Sequence, residues 1–320
     1  MTENFDVICI GAALVDMIAR VERHPEEDDE VFVSDLNLLS GGAAANTACV
    51  CSKLGLSTAF LGKLGLEGSF RAKILQDFKE SQVYIGLIKY SKDKETGCTY
   101  IALNKEGERR IYAYSGVANY LSKNDILEKE LIHTKVIFLS SLKNLEAFIE
   151  AAKIGRRNNI PVILNPGMLI IDQNLENITQ LLEYIDILIL SQREFVTLMK
   201  IKEKPFDSKT IELYIRNLTN LGIKVIIITR GERGASLFTP FTSALIPATK
   251  VKNIIDTTGA GDAFSAGFVY GFLQNLKYDF TNLEYNVKIG NFVAGKCIQK
   301  LGARNGIPNL DELKDEISYF

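Results

Sequence analysis

Histidine is scarce: two in 320 residues, His24 and His133, far apart along the chain. A histidine-built metal centre or catalytic triad is therefore not expected. Proline is also sparse, at seven, and no Pro/Ser-rich tract offers a linker, so a single domain over residues 1–320 is expected. The five cysteines, Cys9, Cys49, Cys51, Cys98 and Cys297, are odd in number and form no CxxC pair. That argues against a disulfide framework and for a reduced, cytoplasmic protein. Neither charge sign dominates: 37 Lys and Arg face 39 Asp and Glu, for a net charge of −2. A protein built to grip nucleic acid is not expected from this balance. No apolar run approaches the ~20 residues of a membrane span. The opening MTENFDVICIGAAL has no basic segment, so neither a membrane role nor a signal peptide is expected. What remains is an ordinary globular composition, 47% hydrophobic and 24% charged.

Apolar runs at 136–139, 160–164, 187–190 and 225–229 alternate with helical patterns at 145–157, 175–184, 192–199 and 209–221. Such alternation predicts βαβ units and an α/β fold whose mostly parallel sheet is covered by helices on both faces. A first strand is expected at 5–10, a small-residue helix from Gly41–Gly42 to Leu54, a helix at 70–79, and strands at 58–61 and 83–90. Three helical patterns at 261–274, 283–301 and 310–317 close the chain. The segments 31–39 and 97–114 fit the alternation poorly; the latter reads as a hairpin around Asn104–Glu108. Segments near 12–39 and 90–116 are expected to form a small β-sheet lid.

The strongest local signal is Asp256-Thr257-Thr258-Gly259-Ala260-Gly261-Asp262. A strand-like stretch at 251–255 leads into a Gly-rich turn that opens a helix. The first N–H groups of a helix lack intrahelical partners and carry the positive dipole end, so they cradle anions, phosphate above all. Asp262, in the first turn, stands where a base takes the proton of an attacking hydroxyl. Capping by Asp256 or Asp262 explains the same residues without chemistry. Gly41-Gly42-Ala43-Ala44-Ala45-Asn46 is a second Gly-rich helix start, with Asn46 on its first turn; tight helix–sheet packing is the plainer reading. Asp16 follows the first strand, where open α/β sheets bind ligands, and a carboxylate there accepts polyol hydroxyls; a solvated loop aspartate is the alternative.

Together these three elements, with Leu54-Gly55 and Gly62-Lys63-Leu64-Gly65, make the chain resemble the ribokinase family, or PfkB-type carbohydrate kinases, over nearly its whole length. The resemblance implies an ATP-dependent kinase using Mg²⁺ and, in many members, a monovalent cation such as K⁺. It implies Asp262 as the base, Gly259, Ala260 and Gly261 as the anion hole, and Asp16, Gly41, Gly42, Asn46 and Leu14 around the acceptor. Ser191 and Glu194 stand at the family's Asn-x-x-Glu position, with Ser for Asn, so Glu194 carries the link to Mg²⁺. Thr229, Gly231 and Gly234 match the nucleotide-contacting turn, and Asn291 the adenine pocket. Asp256, Thr258, Gly302 and Gly306 match the loop around the monovalent cation.

Gly290-Asn291-Phe292-Val293-Ala294-Gly295-Lys296-Cys297 nearly matches a P-loop, but ends on Cys and looks like helix interior. Gly259-Ala260-Gly261 lacks the last glycine of a dinucleotide fingerprint. On the acceptor side, Leu14 and Ala43 replace the Asn and Lys of ribose-specific members, and Leu14-Val15-Asp16 resembles adenosine-kinase-like members. Tyr112 and Tyr114, on the lid hairpin, are candidates to pack on a base. Three functions fit this sequence: a sugar kinase, a nucleoside kinase of the same fold, and a catalytically silent nucleotide-binding regulator. Lids of this family often pair across a dimer, and a homodimer through the lid is expected.

Overall fold

In the computed structural model, residues 3–201 and 208–318 are described. Strand Phe5–Gly11 (β1) is followed after Ala12–Ala13 by Leu14–Val21 (β2) and Val33–Gly41 (β3). Then come Ala43–Lys53 (α1), Thr58–Leu61 (β4), Lys63–Gly65 (β5), Ser69–Glu80 (α2), Lys89–Ser91 (β6), Thr96–Leu103 (β7) and Arg109–Gly116 (β8). The regular part runs Glu128–Leu131 (α3), Thr134–Ser140 (β9), Leu145–Arg157 (α4), Val162–Asn165 (β10), Gly167–Ile171 (α5), Asn174–Leu182 (α6), Ile187–Ser191 (β11), Gln192–Leu198 (α7), Ser208–Asn220 (α8) and Val225–Thr229 (β12). It ends with Ala235–Phe238 (β13), Ser243–Ile246 (β14), Ala260–Leu273 (α9), Phe280–Cys297 (α10) and Leu310–Ile317 (α11).

The large sheet has eight strands in the order β14-β13-β12-β11-β10-β9-β1-β4. β1 lies between β4 and β9 and is parallel to both, in register Val7↔Thr58 and Val7↔Val136. The chain therefore builds one step outward to β4, crosses back over β1, and extends the other way from β9. That reversal is a topological switch point, and ligands bind outside the carboxyl ends of the strands there. Polar residues close those strands: Ser140, Asn165, Ser191 and Thr229, with Ser140 Oγ donating to Asn165 Oδ1 at 3.4 Å.

Each central strand is apolar on both faces because helices cover both. Cys9, Phe138, Ile163, Ile189 and Ile227 pack toward the side of α1, α9 and α10, with Phe268 and Phe272. Ile8, Ile10, Leu139, Leu164, Leu188 and Ile226 pack toward α4, α6 and α7. α9 and α10 approach closely through small residues: a Cβ on Gly267 would stand 3.0 Å from Gly290 Cα. The near P-loop is thus the interior of α10, its glycines serving helix packing; a Cβ on Gly290 would meet Phe264 O at 2.9 Å.

A second sheet of four strands, β3-β2-β7-β8, stands beside the carboxyl end of β1. The hairpin expected at 97–114 is there, as β7 and β8 paired Thr99↔Ala113 and Ile101↔Ile111. Four details differ from the sequence reading. Asp16 is on a strand rather than in a loop, since β2 is held on both sides, Asp16↔Leu39 and Asp16↔Thr99. The strand expected at 83–90 shrinks to Lys89–Ser91 plus one bridge, Ala59↔Tyr84, because the Ile88 N–H turns back onto Ile85 O. The stretch 251–255 is not a strand; it pairs with no neighbouring strand among the described residues, Ile254 and Ile255 are exposed, and the Ile298 carbonyl accepts from the N–H groups of Ile255 and Asp256. β13 and β14 add an antiparallel hairpin to the otherwise parallel sheet. Among the described residues no helix is long and apolar enough to cross a membrane, and the five cysteines are free.

Candidate active site

Gly259 begins the site. It sits at φ 77°, in the left-handed region, as the residue before α9. Glycine adopts this conformation without strain, and a Cβ would also fall 2.3 Å from Ala303 Cβ. No side chain caps α9, so the N–H groups of its first turn, from Gly261 and Asp262, lack intrahelical acceptors. A Cβ on Gly261 would meet nothing within 4 Å. The turn thus borders open space beneath a positive helix end, the shape and polarity a phosphate needs.

Asp262 stands in that first turn, partly buried. Its Oδ2 accepts a hydrogen bond from Asn46 Nδ2 at 2.8 Å, and its backbone carbonyl one from Thr47 Oγ1 at 3.5 Å. Asn46 is on α1, which starts at Gly42 with φ 98°, where a Cβ would strike Ala12 O at 2.4 Å. Asn46 Oδ1 accepts in turn from Arg304 Nε at 2.9 Å. Burial pushes the Asp262 carboxyl up, against the Asn46 hydrogen bond and the Arg304 charge, which pull it down. The charges of Glu194 and Asp16 add to the rise, and the result is a pKa of about 7. A carboxyl with a pKa there can gain or lose a proton near neutral pH.

Asp16 forms the other wall. Burial raises its pKa, opposed by a hydrogen bond from Thr99 Oγ1 and by Arg304. Gly41 faces it across the strands, and a Cβ there would lie 2.1 Å from Asp16 Oδ2. Strand alternation puts Leu14 and Ile18 on the Asp16 face of the second sheet. The register adds Leu39, Thr99, Ile101 and Ile111 to it. Tyr112 and Tyr114 alternate with Ile111 and Ala113 and so occupy the opposite face, away from Asp16; a base held beside Asp16 does not meet them.

Toward β11 and β12, Ser191 caps α7. Its Oγ accepts from the Glu194 N–H at 3.2 Å, and Glu194 Oε2 accepts from the Ser191 N–H at 2.7 Å. Thr229 ends β12, Gly231 (φ 59°) borders open space, and Gly234 packs on Ile246 O. Arg230 and Arg233 both donate to Gln192 Oε1, at 3.4 and 2.9 Å. Asn291 is buried on α10 and donates to Pro247 O at 2.9 Å and Ile246 O at 3.3 Å.

Asp256 ties the anion turn to the 302–306 loop. Its Oδ1 accepts from Thr258 N and Oγ1 at 2.9 and 2.7 Å, and its Oδ2 from Gly302 N at 2.9 Å. Burial works to raise this carboxyl, but those donors outweigh it and hold the pKa below the usual range. Arg109, from the second sheet, reaches it at 3.7 Å. Gly306 lies against the Cys297 carbonyl, where a Cβ would be 2.4 Å away. Three residues at the site carry no role of their own in the sequence reading: Thr99, Arg109 and Arg304. For Thr99 a signal existed, since alternation along 97–103 sets it on the face opposite Tyr100.

Gly259 and Gly261 separate the loop's fold from its chemistry. Gly259→Val is expected to lower the melting temperature, because a β-branched residue at positive φ is strained and Ala303 fills the space. Gly261→Ala is expected to melt within a few degrees of the parent yet bind ATP more weakly, since its methyl enters the open cradle. Calorimetry with ATP titration checks both; equal melting of the two variants contradicts this division.

A model of the pfkB family carbohydrate kinases matches residues 4–310. The ribokinase of Staphylococcus aureus is 29% identical over 310 residues, covering 96% of this chain and 98% of its own. The nucleoside kinase of Methanocaldococcus jannaschii is 25% identical over 312 residues, covering 97% and 96%. Among solved structures, Arabidopsis thaliana ribokinase complexed with ribose and ATP superposes with a TM-score of 0.86 at 23% identity, covering 99% of this chain and 100% of its own. The chain belongs to the pfkB family of carbohydrate kinases, phosphotransferases that take an alcohol group as acceptor.

Proposed function

We propose that this kinase transfers the γ-phosphoryl group of ATP in line to a primary hydroxyl of a small sugar, with Asp262 as the base. The observation that carries the reading is Asp262 itself: a carboxyl with a pKa of about 7 in the first turn of an uncapped helix, beside the open cradle at Gly261. Asp16, Asn46 and the backbone at Gly41–Gly42 orient the acceptor's hydroxyls. Asp262 takes the proton as the hydroxyl attacks, and the N–H groups of residues 259–262 stabilise charge on the transferred group. ATP lies along the turns after β11 and β12, near Ser191, Thr229, Gly231, Gly234 and Asn291. Glu194 is the carboxylate that would hold Mg²⁺, an ion that needs only one or two such ligands, and the ion would supply charge neutralisation on the phosphates. Asp256, Thr258 and the turn at Gly302–Gly306 are the donors a monovalent cation would use. The second sheet acts as a lid that keeps water from competing with the acceptor.

A second reading, a nucleoside acceptor, is favoured by one observation. The Asp16 face of the lid carries Leu14, Ile18, Leu39, Ile101 and Ile111, with few partners for hydroxyls. An apolar wall of that kind suits a base attached to the sugar. ADP release from a panel of sugars and nucleosides separates the two, and turnover is expected with at least one of them. ATP binding without phosphotransfer to any member would instead leave a silent nucleotide-binding regulator.

The base assignment has a pH signature. A carboxyl at about 7 is protonated below that pH, so kcat/KM is expected to fall as pH drops through about 7. Its folded pKa lies above the unfolded value of about 4, so the stability it contributes is full below ~4 and lost as pH rises through about 7. Asp262→Asn removes that loss while lowering kcat by roughly 10²-fold or more. Near-normal turnover of this variant ends the assignment.

A homodimer through the lid is part of the proposal. The face away from Asp16 carries a row across all four strands, Leu38, Met17, Tyr100 and Tyr112, with Leu36 and Tyr114 exposed beside it. β3 and β8 are unpaired edges, which a second copy covers. Light scattering at micromolar concentration is expected to give twice the chain mass, and Leu38→Glu to halve it. A monomeric parent protein refutes this.

A further inference from the structure

Arg304 comes from a loop that nothing in the composition marks as catalytic, yet it is bonded to the residue that touches the base. Arg304 Nε donates to Asn46 Oδ1 at 2.9 Å, and Asn46 Nδ2 donates to Asp262 Oδ2 at 2.8 Å. A carboxamide has one accepting and one donating end. Turned over, Asn46 would set its oxygen against the Asp262 carboxylate and its NH₂ against a guanidinium. Arg304 can only donate, so it forbids that orientation. At 7% exposure Asn46 has little access to water that would replace either bond.

We propose that Arg304 is a positioning residue for phosphoryl transfer: it locks the Asn46 carboxamide so that Nδ2 holds Asp262 Oδ2, leaving Oδ1 for the acceptor's proton. Arginine suits this because its planar fork gives directed donors at a fixed charge. Its Nη2 is buried without a hydrogen-bond partner among the described residues, so Nε carries the lock. The charged and titratable groups facing Asp262 are Asp16 from β2, Glu194 from α7, Cys297 from α10 and Arg304 itself. Arg304 is the cation among them, and it also acts on Asp16. This inference rests on the reading of Asp262 as the base.

The test needs no acceptor. The full-length protein is labelled with ¹³C at the aspartate carboxyls, and the Asp262 signal, assigned by its loss in Asp262→Asn, is titrated. Arg304→Gln is expected to move the midpoint up by about one pH unit, with Arg304→Lys in between. On an Asn46→Ala background, Arg304→Gln is expected to add a clearly smaller shift, the part its charge exerts on Asp262 without the link. An unchanged midpoint in Arg304→Gln overturns the proposal. So does a shift that persists in full without Asn46, which would make Arg304 a remote charge. If Arg304→Gln does not fold, Arg304→Lys alone must show the intermediate shift, and a parental midpoint there also overturns it. With an acceptor that turns over, kcat is expected to fall about tenfold with a smaller change in acceptor KM; a rise in KM alone would make Arg304 an acceptor contact instead. Full turnover by Asp262→Asn would reject the base while the titration still judges the Arg304 link.

Discussion

A carboxylate held half out of water at the mouth of an uncapped helix is the constraint around which this molecule is organised. Left to itself, Asp262 in that position would be driven protonated by burial and by the neighbouring carboxylates of Glu194 and Asp16. Asn46 and Arg304 oppose this from α1 and from the 302–306 loop, segments more than 200 residues apart in sequence. The compromise is a group titrating near neutrality, and it exists only because the fold brings three distant segments within hydrogen-bond reach. Helix packing supplies the precision. Gly267 and Gly290 let α9 and α10 approach closely, and α1, lined with buried alanines, lies against α9.

The charges are distributed with some economy. Asp256 and Asp262 are six residues apart, yet one is held below the usual carboxylate range and the other far above it. The difference is in the donors. Asp256 receives hydrogen bonds from Thr258 and from the Gly302 N–H, whereas Asp262 receives one from an amide side chain. Backbone donors aimed at a carboxylate keep it ionised for structure. A single neutral donor leaves it free to change state.

Much of the α/β frame was legible because parallel strands buried on both faces read as unbroken apolar runs, as at Val136–Leu139. The Gly-rich turns were legible because positive φ and close approach leave few alternatives to glycine. What stayed hidden depended on pairing. β2 looks like a loop with an aspartate until Thr99 and Leu39 flank it; Ile254 and Ile255 look like a strand but meet no edge. Tyr112 and Tyr114 were candidates for packing on a base, and only the register of β8 against β7 shows that they face the other way. Arg304 was hidden because a lone arginine in a glycine-rich loop says nothing about its partner.

Two of the connections between the second sheet and the main body are built of small residues, Ala12–Ala13 leading into β2 and Gly41–Gly42 leading out of β3. Asp16 rides on the second-sheet side of those joints, while Asn46 and Asp262 belong to the helices of the core. The residues proposed to hold the alcohol are thus divided between the second sheet and the helices of the core. A change in the spacing between these two parts would open that proposed site and leave the Asn46–Asp262 bond intact.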